Sequence, residues 1–233
     1  MYKRVILKLS GESFSRSGKT GIDFSDLDYI TEEIIKLKNL NIELGIVVGA
    51  GNLWRGGRQQ KISRVNADYM GMLGTAINSI ALKDSLEQKG IKTVIQSRIE
   101  LGKIFQTYRI EEADKYLRNK YITIFCFGTG NPYFTTDTTA ALYAAELNAN
   151  IFLKATQVDG VYTSDPNINR NAIKYDKLTY KEAIQKRLKI MDITAFTLCM
   201  ENNIKILVFN FYKSGNLLKA VKKEKIGTVI ENG

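Results

Sequence analysis

Apolar and polar positions along the chain alternate between two periods. Short apolar runs of strand character occupy positions 4–9, 43–48, 92–96, 122–127, 150–154, 205–210 and 227–230. Between them, apolar residues return at helical spacing over 26–40, 67–89, 111–117, 138–147, 180–186, 192–202 and 215–222. Period two followed by period 3.6, repeated end to end, predicts an α/β protein with a largely parallel sheet. The only prolines are Pro132 and Pro166, no Pro/Ser linker divides the chain, and no internal repeat is visible. A single two-lobed domain over 1–233 is the expected organisation.

In such a protein the ligand-binding loops follow the carboxyl ends of the strands. The richest of these junctions is GTGNPYFTTD, residues 128–137, which runs from a strand directly into the helical pattern TTAALYAAELNA. Backbone N–H groups, hydroxyls and a helix N-terminus converge there, which suits a phosphate ester. Taken alone, the segment is better read as an ordinary loop with Asp137 or a threonine as N-cap.

Four other strand ends carry chemistry. In KLSGE, Lys8 closes the first strand and Gly11 lets the chain turn tightly; the lysine either meets a phosphate as a point charge or faces solvent at the sheet rim. In GAGNLWRGGR, Gly49, Gly51, Gly56 and Gly57 alternate with Arg55 and Arg58, a candidate backbone nest. Asp68, in NADYMGM, opens the next helical pattern and either complements the helix dipole or accepts from ribose hydroxyls. In KATQVDGVYTSDP, the DG and DP pairs signal turns or a hairpin; Tyr162 can stack on a base, with Thr156 and Asp165 as hydrogen-bonding partners.

Two familiar nucleotide motifs do not fit. A dinucleotide fingerprint needs glycine at position 54, which is Trp54. Gly18, Lys19 and Thr20 resemble the end of a P-loop, but six residues separate Gly11 from Gly18 where that loop needs four. The 11–20 segment therefore reads as a mobile Gly/Ser-containing loop.

Composition narrows the chemistry. There is no histidine, so Ser-His and Cys-His nucleophiles, HExxH zinc sites and imidazole acid-base catalysis are unavailable. Cys126 and Cys199 are far apart in apolar stretches and read as buried thiols rather than metal ligands. The net charge of +10 favours anionic partners, but the lysines are dispersed and much of the excess is expected on a solvated surface. No apolar run reaches the roughly 18 residues of a membrane span and MYKRVILKLSGE turns polar too early for a signal peptide, so a cytoplasmic protein is expected, without membrane or nucleic-acid partners.

In order along the chain, KLSGE, GAGNLWRGG, NADYMGM, TGNPYFTTD, KATQVDGVYTSDP and KIMDITAF resemble the bacterial uridylate (UMP) kinase branch of the amino-acid kinase superfamily. The likeness spans essentially the whole chain. KLSG and VDGVYTSDP are shared across that superfamily, whereas GNLWRG together with TGNPYFTTD is particular to the UMP branch. The resemblance implies a three-layer sandwich, a central mostly parallel sheet of about eight strands between helices, with the acceptor in the N-terminal part and the ATP base in the C-terminal part.

Carried over by position, the resemblance assigns Lys8, Leu9, Ser10, Gly11, Gly51 and Arg55 to the ATP phosphates and Thr156, Tyr162 and Asp165 to the adenosine. It assigns UMP to Ala50, Asp68, Thr129, Gly130, Asn131, Pro132, Tyr133, Phe134, Thr135 and Thr136. The catalytic group would be Lys8, Arg55, Asp137 and Asp192, with the two acids locking Lys8 or facing a magnesium ion brought by ATP, Asp137 being the nearer. Ala50 stands where the family usually has glycine, and the 13–21 loop is short. Homohexamers and GTP or UTP effectors are further family traits; the apolar positions Met70, Met72, Leu73 and Ile77 read as either a subunit interface or protomer core.

The implied reaction suits a chain without histidine. The acceptor is a phosphate oxygen with a second pKa of about 6, largely deprotonated at neutral pH, so no general base is required. Phosphoryl transfer rests on positioning and charge neutralisation. The alternatives are a superfamily member that phosphorylates a carboxylate or carbamate and, more distantly, a basic nucleic-acid-binding module.

Overall fold

A computed structural model describes residues 1–55, 61–166, 168–188 and 190–233, and each predicted strand and helix has a counterpart in it. The strands are β1 (Arg4–Leu9), β2 (Glu43–Val48), β3 (Thr93–Ser97), β4 (Gln106–Thr107), β5 (Ile122–Cys126), β6 (Ile151–Thr156), β7 (Val161–Tyr162), β8 (Lys174–Tyr175), β9 (Lys177–Thr179), β10 (Lys205–Asn210) and β11 (Thr228–Glu231). The helices are α1 (Phe24–Ile35), α2 (Arg64–Gln88), α3 (Ile110–Arg118), α4 (Thr136–Glu146), α5 (Tyr180–Gln185), α6 (Ile193–Glu201) and α7 (Asn216–Val221), with a single 3₁₀ turn at Gly11–Phe14.

Nine strands form one sheet in the order β4-β3-β5-β2-β1-β6-β10-β11-β9, one more than expected. All its pairings are parallel except β10 with β11. The unpredicted β4, β7, β8 and β9 have two or three residues each, too few for a period to register. β7 and β8 pair antiparallel as a hairpin-like excursion, with the DG pair leading into β7 and the DP pair in the β7–β8 connection. Burial follows the pleat: Leu7, Leu9, Ile46 and Val48 enter the core beneath α1, α2 and α7, whereas Ile6, Val47, Phe125 and Phe152 face α3, α4 and α6. Both cysteines are buried and unpaired, and burial pushes each thiol up to about 12.

Capping places several helix starts earlier than periodicity did. α2 starts at Arg64 because Ser63 caps it through Asn66 N, so Asp68 lies in the second turn rather than at the dipole end. α4 starts at Thr136 because the Thr135 hydroxyl accepts from Thr138 N (3.1 Å); Asp137 is therefore inside the first turn and its carboxylate is not spent on capping. α1 closes at Ile35, short of the predicted Leu40, where the chain loosens into turns. Met72 packs in the core, while Met70, Leu73 and Ile77 are exposed along one side of α2.

Close backbone approach governs the loops after β1 and β2. A Cβ on Gly11 would stand 2.0 Å from Gly51 N and 2.5 Å from Ala50 C, so these loops touch main chain to main chain. The methyl of Ala50 fits because Gly74 faces it from α2; a Cβ at Gly74 would come within 2.8 Å of it. Asn52 and Asn78 donate to each other's side-chain carbonyls (3.0 and 2.8 Å), and Asn78 also donates to Gly49 O (2.8 Å), pinning the loop onto α2. The 11–20 segment is likewise held. Ser15 Oγ donates to Lys19 O, Gly21 N to Asn52 O, and Arg16 pairs with buried Asp26 beside the rings of Tyr29 and Tyr212.

Gly11→Ala is expected to cost about 1–3 kcal/mol or more, since the new methyl meets backbone that cannot swing aside. Gly51→Ala, whose Cβ would meet only the flexible Glu12 side chain at 3.7 Å, should stay within about 0.5 kcal/mol of wild type. Urea unfolding midpoints check the contrast; equal losses would contradict it.

Candidate active site

The parallel register between β1 and β6 sets Lys8 directly beside Lys154. In-register neighbours point to the same sheet face, so two ammonium groups arrive together beneath α4. Left alone they would repel. Asp137, projecting from the first turn of α4, lies between them: its Oδ1 is 3.2 Å from Lys8 Nζ and its Oδ2 accepts from Lys154 Nζ. The Lys8 contact is an ion pair without hydrogen-bond alignment. All three side chains are largely shielded from solvent.

Burial opposes ionisation of Asp137, but the Lys8 and Lys154 ammonium groups outweigh it and hold the carboxyl below the ordinary carboxylate range. Burial, reinforced by the charge of Lys8, pulls Lys154 below the ordinary lysine range against the attraction of Asp137. Two cations, one anion and a helix N-terminus leave a net positive, preorganised field. Lys154 Nζ also donates to Ile190 O (2.6 Å), which fixes its head.

Asp192 supports this group from behind. Its oxygens accept from the hydroxyls of Thr138 (2.6 Å) and Thr135 and from Ala195 N (3.0 Å), so it caps α6 and ties it to the start of α4. Of the two predicted acids, Asp137 is the one that meets Lys8.

A cavity of about 330 Å³ opens beside β2, α2 and the 128–136 loop, and its walls include Ala50, Gly51, Trp54, Asp68, Thr129 and Thr136. Asn131, Phe134 and Thr135 also line it, whereas Gly130, Pro132 and Tyr133 complete the turn without forming its wall. Asp68 anchors this loop: its Oδ2 accepts from Tyr133 N (2.7 Å), while both oxygens accept from Arg64 Nε. A second cavity of about 580 Å³ lies past the end of β6, walled by Lys154, Thr156, Tyr162, Asp165 and Lys186. Tyr162 donates its hydroxyl to Asp159, and Thr156 donates to Val158 O (2.7 Å).

Several predicted residues occupy unexpected stations. Leu9 is buried in the core, so only its backbone is available to a ligand. Ser10 Oγ lies 3.3 Å from Ser13 Oγ, which Tyr212 OH contacts at 3.1 Å. Arg55 donates to Gly51 O (3.0 Å) and pairs with Glu12 (3.0 Å) at the exposed rim, away from Lys8. Gly51, assigned with Arg55 to the donor phosphates, stands on the wall of the smaller cavity. Gly56, Gly57 and Arg58 of the predicted nest lie outside the described residues. Lys154 was not singled out from sequence; the available signal was a second strand, NIFLK, that ends in lysine as the first does.

No trio of histidine, cysteine or acidic side chains that could cage a metal occurs among the described residues, and both oxygens of Asp137 face lysines. A magnesium ion carried on nucleotide phosphates would need no such cage. No helix among the described residues is long and apolar enough to cross a membrane.

The fold is shared with known proteins. The chain superposes on a UMP kinase from Bacillus anthracis with a TM-score of 0.96 at 36% identity, covering 99% of this chain and 96% of that one. A UMP kinase from Ureaplasma parvum matches at 0.92 and 37% identity with complete coverage of both chains. A uridylate kinase from Archaeoglobus fulgidus matches at 0.74 and 28% identity, covering 97% and 99%. With residues 3–210 also matching the model of the Amino acid kinase family, the chain belongs to that family.

Proposed function

We propose that this protein transfers the γ-phosphoryl group of ATP to UMP, giving ADP and UDP for UTP and CTP synthesis. The observation that carries the reading is the Lys8–Asp137–Lys154 group near both cavities, in a chain 36–37% identical to two UMP kinases. ATP takes the larger cavity, its base toward Tyr162 and its γ-phosphate toward Lys154 and Lys8. UMP takes the smaller one, its phosphate toward Gly51 and the start of α4. An oxygen of the UMP phosphate forms the new bond to the γ-phosphorus as the bond to the β-phosphate oxygen breaks, and ADP leaves.

Lys8 and Lys154 neutralise the charge spread over the transferring group, and the α4 N-terminus adds its partial positive charge. Asp137 holds the two ammonium groups at one spacing. Asp192, through Thr135 and Thr138, holds α4 and hence Asp137. Magnesium bound to ATP adds charge neutralisation of its own. Asp68 acts by holding the acceptor loop at Tyr133 as well as by facing the ribose.

A homohexamer and GTP or UTP effectors belong to the same proposal. Met70, Leu73, Ile77 and Ile80 form an exposed apolar stripe on α2 that supports association between copies. The cytoplasm is the compartment where these substrates meet.

ADP release measured with UMP, CMP, aspartate, acetylglutamate and carbamate in parallel should show turnover with UMP far above the others. Preference for a carboxylate or carbamate would overturn the reading. Lys8→Ala should act mainly on kcat, raising the barrier by about 3 kcal/mol as other preorganised electrostatic groups do; an unchanged kcat removes Lys8 from the mechanism.

The Asp137 carboxyl is held below its unfolded value of about 3.9, so its ionisation stabilises the fold above that pH and the stabilisation fades as pH falls through the folded value. Asp137→Asn should therefore be less stable than wild type by roughly 1–3 kcal/mol at pH 7, with the gap closing below about pH 4. Urea titrations at both pH values test this, and a gap independent of pH would refute it.

A further inference from the structure

Arg98 follows β3, outside the group that faces the two cavities. Its guanidinium packs against two aromatic rings that meet edge to face (4.9 Å), 4.6 Å from the centroid of Tyr108 and 4.7 Å from that of Tyr143, and its Nη2 pairs with Glu146 at the end of α4. Tyr108 OH donates to the same Glu146 oxygen (2.7 Å). Tyr143 is fully buried and stacks on Phe125 of β5 (4.1 Å, 15°), two residues before Phe127, where the chain enters the acceptor loop. One side chain thus joins the exit of β3, the last turns of α4 and the strand that feeds the loop.

The stem of the same residue lies close beside the loop itself. Gly130 has φ +79°, and a Cβ there would stand 3.3 Å from Arg98 Cβ and 3.9 Å from both Arg98 O and Ile99 Cγ1. Asp68 grips the loop on its other side through Tyr133 N. The turn carrying Thr129 and Asn131 is therefore held between two supports.

Stability alone does not account for the network. Arg98 Nε and Tyr143 OH are buried beside one another without a hydrogen bond of good geometry. Poorly aligned buried polar atoms offset much of what a partly shielded ion pair contributes, and such pairs add little net stability. Definition of geometry is what remains.

We propose that Arg98 is a positioning residue for the acceptor nucleotide. Clamped by Tyr108, Tyr143 and Glu146, it sets the back wall on which the 128–134 turn rests, and so sets the affinity for the phosphate acceptor without touching it. The acceptor's identity as UMP rests on the function proposed above.

Two variants test this: Arg98→Met, which keeps the stem, and Glu146→Gln, which keeps the shape. Each should raise the KM for UMP roughly five- to tenfold, the scale of coupling within one contact network, with kcat and the KM for ATP within about twofold. In the free protein, hydrogen exchange at the amides of residues 128–134 other than Pro132, which has none, should quicken by a similar factor while that of β1 and β10 is unchanged. Unaltered exchange at 128–134 in both variants would overturn the proposal, as would kcat and both KM values moving together with the unfolding midpoint. The exchange measurement needs no substrate, so it decides the role of Arg98 even if the wild type fails to phosphorylate UMP.

Discussion

Two lysines near the carboxyl ends of neighbouring parallel strands repel one another, and the centre of this protein is arranged around the carboxylate that lies between them. Register puts Lys8 beside Lys154. Asp137 can reach both because Thr135, not Asp137, caps α4. Asp192 then holds the two threonine hydroxyls at that cap, and Ile190 O fixes the head of Lys154. Loss of one link would shift the others, since these shielded groups share partners within one network.

The two cavities follow from that centre. The larger lies past β6, where the chain leaves the sheet for the β7–β8 excursion, and the smaller lies past β2 and β5. Both open at the carboxyl ends of parallel strands, the place where loops are free of the hydrogen-bond ladder and helix N-termini face inward. The chemistry needs little beyond this. A phosphate acceptor is already deprotonated, so a fold with lysines, backbone amides and helix dipoles can transfer a phosphoryl group without a histidine.

Much of the fold was legible because the strands and helices are long enough to show their periods. The exceptions have particular causes. β4 and β7 to β9 are two or three residues long, and their pairing depends on distant partners such as β3 and β11. The starts of α2 and α4 were placed late because Ser63 and Thr135 are polar residues whose capping role appears only once their hydroxyls meet specific N–H groups. The 11–20 segment read as mobile because its glycines and serines are visible in sequence, whereas Asp26, Tyr29 and Tyr212, which hold its Arg16, are not adjacent to it.

By itself the sequence determined the class of fold, the loops that carry the chemistry and the absence of imidazole, because these depend on local period, turn residues and composition. Only the tertiary structure decided which of those residues meet. Lys154 gained its place from a strand register spanning 146 positions, Arg55 was turned toward Glu12 at the rim, and Arg98 joined Tyr108, from the β4–α3 connection, with Tyr143 and Glu146 of α4. Such pairings are set by sheet order and helix packing, which bring together residues with no signal in one another's neighbourhood.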